Sequence, residues 1–140
     1  MSCTAFKLRF GVIGTNFVSD WLLEGAAEDP RFEVAAIYSR LQDTANAFAE
    51  KHNIPHTFIS LEKMASSPLI DAVYIASPTA LHSEQAILFM EHGKHVLCEK
   101  PSASNVRELG RMIEAAKKYD VVGHEIDIDA GIQSRFAAFT

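Results

Sequence analysis

The chain reads as an α/β protein built on an open, doubly wound parallel sheet, and three features predict it. Short apolar runs alternate with longer amphipathic stretches from one end to the other. No internal repeat and no Gly/Ser-rich or charge-rich linker breaks that alternation. The 140 residues, 48% apolar and 22% charged, match a single globular domain and leave no room for a second. A chain of this length buries about two-thirds of the surface its unfolded form exposes, so its core needs neither disulfide nor metal.

The elements follow in order. Residues 7–13 form a first strand, 16–28 a helix, and 32–38 a second strand rich in Val, Ala and Ile, with Asp29-Pro30 as the break before it. Residues 41–52 set Ala45, Phe48, Ala49 and His52 on one helical face. A short strand at 57–59 and a small helix at 60–66 make up the third crossover. Residues 72–76 (AVYIA) are a buried strand, 79–92 a helix stopped by Gly93, and 95–98 a further strand. Asn105 and Glu108 stand at capping-box spacing before a helix that runs to about Tyr119, with Val106, Leu109, Ile113 and Ala116 as its apolar stripe. Strands joined by helical crossovers pair in parallel with right-handed connections, which covers both faces of the sheet.

Charge and composition exclude several classes. A formal charge of -5 offers no basic field for a nucleic acid. The two cysteines, Cys3 and Cys98, make no disulfide framework and suit a reducing compartment. The first residues, MSCTAFKLRF, lack the apolar core of a signal peptide, and no run approaches the roughly 18 apolar residues of a membrane span. The expectation is a cytoplasmic protein without nucleic-acid or membrane partners. His52, His56, His92 and His95 have no metal-ligand spacing, so they read as surface or core histidines.

The turn after the first strand carries the first functional signal. Gly14, Thr15, Asn16 and Phe17 lead from an apolar strand straight to a helix N-terminus, where unpaired N–H groups and the helix dipole favour a pyrophosphate. In the G-x-G-x-x-G register, Gly14, Asn16 and Ser19 take the three positions, and only the first is glycine. Asn tolerates positive φ and Ser is small, so the pattern is physically acceptable, although a tight turn without ligand fits it as well. No acidic residue stands about 20 positions on, where a ribose 2′-hydroxyl would be bound. Ser39 and Arg40 follow Tyr38 instead, and a hydroxyl beside a guanidinium suits a 2′-phosphate. NADP(H) is therefore the expected cofactor, with NAD(H) as the lesser alternative. A lone Arg40 would otherwise read as a solvated loop charge.

Two further strings, Ala76-Ser77-Pro78-Thr79-Ala80-Leu81-His82 and Gly93-Lys94-His95-Val96-Leu97-Cys98-Glu99-Lys100-Pro101, complete a pattern over roughly residues 6–120. It resembles the Gfo/Idh/MocA family: glucose-fructose oxidoreductase, inositol dehydrogenase and rhizopine catabolism. The resemblance implies a Rossmann domain and nicotinamide-dependent redox chemistry on a sugar, cyclitol or related hydroxyl or carbonyl substrate. It implies that Lys100 lies beside the nicotinamide and the reacting oxygen, as the catalytic residue, with Glu99 and Pro101 supporting that turn. Ser77, Pro78 and Thr79 are similar to the family's loop along the cofactor, and His82 to its recurring histidine, which orders that loop rather than transfers a proton.

Residues 1–123 are thus read as the cofactor domain and 124–140 as a divergent tail. Family members continue for some two hundred residues into a domain that supplies the substrate pocket, so this chain alone is expected to turn over poorly. A truncation, an altered reading frame and a genuine short form all fit the tail. Glu125, Asp127 and Asp129 read there as a solvated acidic segment rather than a metal site. The competing reading is a non-catalytic nucleotide-binding or interaction module. An uncovered apolar face would favour self-association, so a homo-oligomer is open beside it.

Overall fold

The computed structural model describes residues 7–15, 23–25, 28–126 and 137–138. Among them seven strands form one sheet: β1 (Leu8–Ile13), β2 (Phe32–Tyr38), β3 (His56–Phe58), β4 (Ala72–Ile75), β5 (His95–Glu99), β6 (Gly123–Ile126) and β7 (Ala137–Ala138). Their order is β3-β2-β1-β4-β5-β6-β7, parallel through β6, with β7 returning antiparallel. The chain winds outward from β1 to β3, then crosses to β4 and winds the other way. The switch falls between β1 and β4, where such sheets open a crevice at their carboxyl ends.

Strand periodicity builds two cores. Val12, Ile37 and Tyr74 project to one face and pack with Leu23, Phe48, Ala49 and Ile54. Ile13, Ala36, Val73, Ile75, Val96 and Cys98 project to the other and meet Met64, Phe89, Met90, Met112 and Ala116. The helices supplying those side chains are α1 (Gln42–His52), α2 (Leu61–Ala65), α3 (His82–Glu91) and α4 (Val106–Lys118). Helical cover on both faces follows from this alternation. Of the helix expected over 16–28, residues 23–25 are described and are helical, and the others, apart from Glu28, lie outside the described residues.

Helix ends follow local chemistry. α1 buries Ala45, Phe48 and Ala49, as its stripe predicts, while the His52 ring packs on Phe48 with centroids 4.6 Å apart. It closes on Asn53, whose N–H reaches the Ala49 carbonyl and whose left-handed φ of 56° turns the Ile54 N–H back to the same carbonyl at 2.8 Å. Ser60 accepts from the Lys63 N–H to start α2, so the third crossover is a strand and a capped short helix. The helix expected from Thr79 opens instead as a 3₁₀ turn (Thr79–Leu81), and α3 begins at His82. Gly93, at φ 76°, ends that region as expected.

α4 corrects one expectation. Asn105 Oδ1 accepts from the Glu108 N–H at 2.9 Å, the predicted cap. Glu108, however, turns its carboxylate to the Asn105 side-chain amide and to Ser83 Oγ–H, which ties α4 to α3. The buried residues are Met112, Ala115 and Ala116, whereas Val106 is 85% exposed. The packed face keeps Ala116 of the expected stripe but is rotated by roughly a quarter turn from Val106, Leu109 and Ile113. Two adjacent alanines let that face approach its neighbours closely, which a count of large apolar residues misses.

The expected tail also changes character. β6 runs past residue 123 to Ile126 and pairs with β5, so Glu125 sits in the sheet, half-buried, and is not part of a solvated acidic run. Asp127 and Asp129 lie outside the described residues.

At the amino edge of the sheet, Arg9 donates from Nε and Nη2 to Asp71 at 3.1 and 2.9 Å, and its backbone N–H adds a third bond. That hydrogen bonding holds the Asp71 carboxyl below the usual carboxylate range. Lys94 Nζ donates to the Ser67 and Ile70 carbonyls at 2.7 and 2.9 Å. Partial burial pushes its ammonium below the ordinary lysine value.

Candidate functional site

The carboxyl ends of β1, β2, β4 and β5 share one edge, and the residues singled out in the sequence gather there. Gly14 leaves β1 at φ 112°, a conformation side chains rarely adopt. A Cβ at this position would stand 2.9 Å from the Ala76 carbonyl oxygen, so the turn after β1 passes directly against the end of β4. Both constraints demand glycine. Thr15 follows it; Asn16, Phe17 and Ser19 lie outside the described residues.

A cavity of about 1210 Å³ opens at this edge, lined by Gly14, Thr15, Tyr38, Ser39, Arg40, Ser77 and Pro78. It thus joins three of the predicted segments across the β1–β4 switch. Ser39 is fixed by its N–H to the Phe58 carbonyl, and its Oγ accepts from the Leu41 N–H at 3.4 Å. Arg40 is exposed beside it, and Leu41 opens α1 without a side-chain cap. Thr44, Ser60 and Gln85 line the same cavity and were not singled out in the sequence. Gln85 had a legible signal: it lies three positions after His82, on the same face of α3, and it accepts from Ser77 Oγ–H.

Thr79, His82, Glu99 and Lys100 do not line that cavity. Glu99 and Lys100 lie at the end of β5, His82 contacts that turn, and Thr79 opens the 3₁₀ turn after β4. His82 is 1% exposed and links the two groups. Its Nδ1 lies 2.9 Å from the Pro101 carbonyl and its Nε2 2.6 Å from the Ser77 carbonyl. With both ring nitrogens engaged by backbone, the imidazole spans two loops and is not presented to a substrate. Glu99 accepts from the hydroxyl of fully buried Tyr74 at 3.0 Å, a contact between β4 and β5 that sequence reading missed because strand register is not visible in one chain. Lys100 is exposed and is joined to Pro101 by a cis peptide.

Cys98 is buried, and burial together with the Glu125 and Glu99 charges pushes its thiol well up, so it is no nucleophile. A second cavity of about 540 Å³ between α3 and α4, lined by Ser83, Glu84, Ile87, Glu108 and Arg111 among others, holds none of the predicted site residues. Among the described residues no group of three or more His, Cys, Asp or Glu could hold a metal, and no helix is long and apolar enough to cross a membrane.

Comparison with known proteins agrees with this geometry. Residues 8–125 match the family model Gfo/Idh/MocA, described as an oxidoreductase family with an NAD-binding Rossmann fold. The chain is similar to scyllo-inositol 2-dehydrogenase (NADP(+)) IolU of Bacillus subtilis, at 57% identity over 115 residues, covering 82% of this chain and 35% of that protein. Among solved structures, a probable dehydrogenase from Thermotoga maritima superposes with a TM-score of 0.80 at 32% identity, covering 84% of this chain and 35% of the other. KijD10, a 3-ketoreductase from Actinomadura kijaniata in complex with NADP and TDP-benzene, does so with a TM-score of 0.80 at 30% identity, covering 85% and 37%. The chain therefore spans about a third of the length of the relatives it matches.

Proposed function

The chain belongs to the Gfo/Idh/MocA family of NAD(P)-dependent oxidoreductases, and from that premise we propose that it binds NADP(H) in preference to NAD(H) for redox chemistry on a sugar, cyclitol or related alcohol. One observation carries the reading: a single cavity joins Gly14, the Ser39-Arg40 pair and the Ser77-Pro78 loop across the switch of the sheet. The NADP in the names of the inositol dehydrogenase and of the KijD10 complex supports it.

The residues fit the cofactor. Gly14 offers bare backbone where a pyrophosphate needs close approach. Ser39 and Arg40 offer a hydroxyl and a guanidinium to a 2′-phosphate at the far side of the cavity, where an NAD site would offer a carboxylate. When bound, the nicotinamide gives or takes the hydride. Lys100 would hold its ammonium against the substrate oxygen, polarising a carbonyl as it is reduced or stabilising an alkoxide as it is oxidised. Tyr74 and His82 keep Glu99 and Pro101, its two neighbours, in place. Substrate orientation contributes several kcal/mol of barrier lowering, so residues 1–140 alone are expected to bind cofactor and turn over poorly.

The test is titration of the chain with NADPH and NADH, followed by nicotinamide fluorescence. Tighter NADPH binding is expected; equal affinities would overturn the preference, and no binding of either would overturn the cofactor assignment.

A further inference from the structure

We propose that Glu125 is a positioning residue for Lys100, reaching from the neighbouring strand to fix the turn that carries it; the inference rests on the role given to Lys100 above. In the parallel register of β5 and β6, Glu125 stands opposite Cys98, two residues before Lys100. Its Oε2 accepts two hydrogen bonds from one residue, the Ser102 N–H at 2.9 Å and the Ser102 Oγ–H at 2.8 Å. Ser102 is 4% exposed, and its carbonyl lies 3.9 Å from Cys98 Sγ. A carboxylate that receives two donors of a buried residue makes charge-assisted bonds, roughly twice as strong as neutral ones.

The same turn is held from the other side. The His82 ring meets the carbonyl of Pro101, the residue between Lys100 and Ser102. Glu99, before the lysine, is tied to Tyr74. Residues 99, 101 and 102 are thus each anchored by a different element, and exposed Lys100 stands among them. Glu125 engages both a backbone N–H and a side chain of the turn. With those two donors on one oxygen, its carboxylate serves the turn rather than the substrate. Misplacement of a reacting group by about 1 Å can cost on the order of a hundredfold in rate, so an anchor of this kind bears on the reaction without touching the substrate.

Two readouts on the 140-residue chain test this. Amide hydrogen exchange reports whether Glu125 holds the turn, and acetylation of Lys100 with and without saturating NADPH, read by peptide mass spectrometry, reports where the lysine sits. In the native chain, bound NADPH is expected to shield Lys100. Glu125→Ala should speed Ser102 amide exchange by roughly tenfold or more and abolish most of the shielding while NADPH still binds, since two charge-assisted bonds are lost. Glu125→Gln, which keeps one carbonyl acceptor, should restore much of both. Unchanged exchange or unchanged shielding in Glu125→Ala would overturn the inference. Should that variant fail to fold, Ser102→Ala removes the side-chain bond, and amide exchange at position 102 and shielding of Lys100 both equal to native in Ser102→Ala would overturn it equally. Native chain that binds NADPH without shielding Lys100 would instead sink the role given to the lysine, and the inference with it.

Discussion

Lys94 and Lys100 bracket one five-residue strand, β5, and serve opposite edges of the sheet. Lys94 closes the amino edge by donating to the Ser67 and Ile70 carbonyls, whereas Lys100 follows the strand at the carboxyl edge. Strand rise separates their backbones by about 20 Å. Under the role proposed for Lys100, the two lysines of one motif divide between folding and chemistry.

Lys94→Met should lower stability by about 1–3 kcal/mol, because two buried carbonyls lose their donor. NADPH affinity should persist. Lys100→Met should do the converse, leaving the urea midpoint within about 0.5 kcal/mol of native, as exposed substitutions do. Urea unfolding of both variants, with and without NADPH, checks the division.

Gly14→Ala places a side chain at φ 112° and a Cβ 2.9 Å from the Ala76 carbonyl oxygen. The expected cost is about 1–3 kcal/mol of stability. Cofactor binding should be lost as well, since the added methyl forces the turn away from β4. A variant that binds NADPH as tightly as the native chain would refute the close approach as the feature that selects glycine.

Arg40→Ala should weaken NADPH by roughly tenfold to a hundredfold, the worth of a charge-assisted contact to a 2′-phosphate, with NADH affinity little changed. Parallel fluorescence titrations decide it. Equal losses for the two cofactors would assign Arg40 to general attraction of polyphosphate.

Asp71 titrates below its ordinary range because Arg9 hydrogen-bonds its carboxylate. In the unfolded chain the group ionises near pH 4, so the pair contributes stability above that pH and loses it as pH falls through the lower folded value. Asp71→Asn should reduce stability at neutral pH and flatten the fall in urea midpoint as pH drops below about 4. Unfolding curves across that range measure the flattening.

The order of strands and crossovers was legible in the sequence because hydrophobic periodicity is local. AVYIA is a strand wherever it is placed, and Gly93 ends a helix by its own backbone freedom. The turn at Gly14 and the Ser39-Arg40 pair stand out in the sequence for the same reason, each being a short string that can be read locally, and the fold brings both to one cavity. The buried face of α4 was legible only in part, since Ala116 belongs to the expected stripe while Met112 and Ala115 are selected by how closely α4 packs. The contacts that organise the turn around Lys100 were not legible. His82 to Pro101, Tyr74 to Glu99 and Glu125 to Ser102 join residues 19, 25 and 23 positions apart. Pairings of that kind exist only after parallel register has set the strands side by side, and register is a property of the folded sheet. By itself the sequence determined which elements form and which short strings stand out chemically; the tertiary structure decided which of them meet, because hydrogen bonds across strands depend on neighbours that the chain order does not reveal.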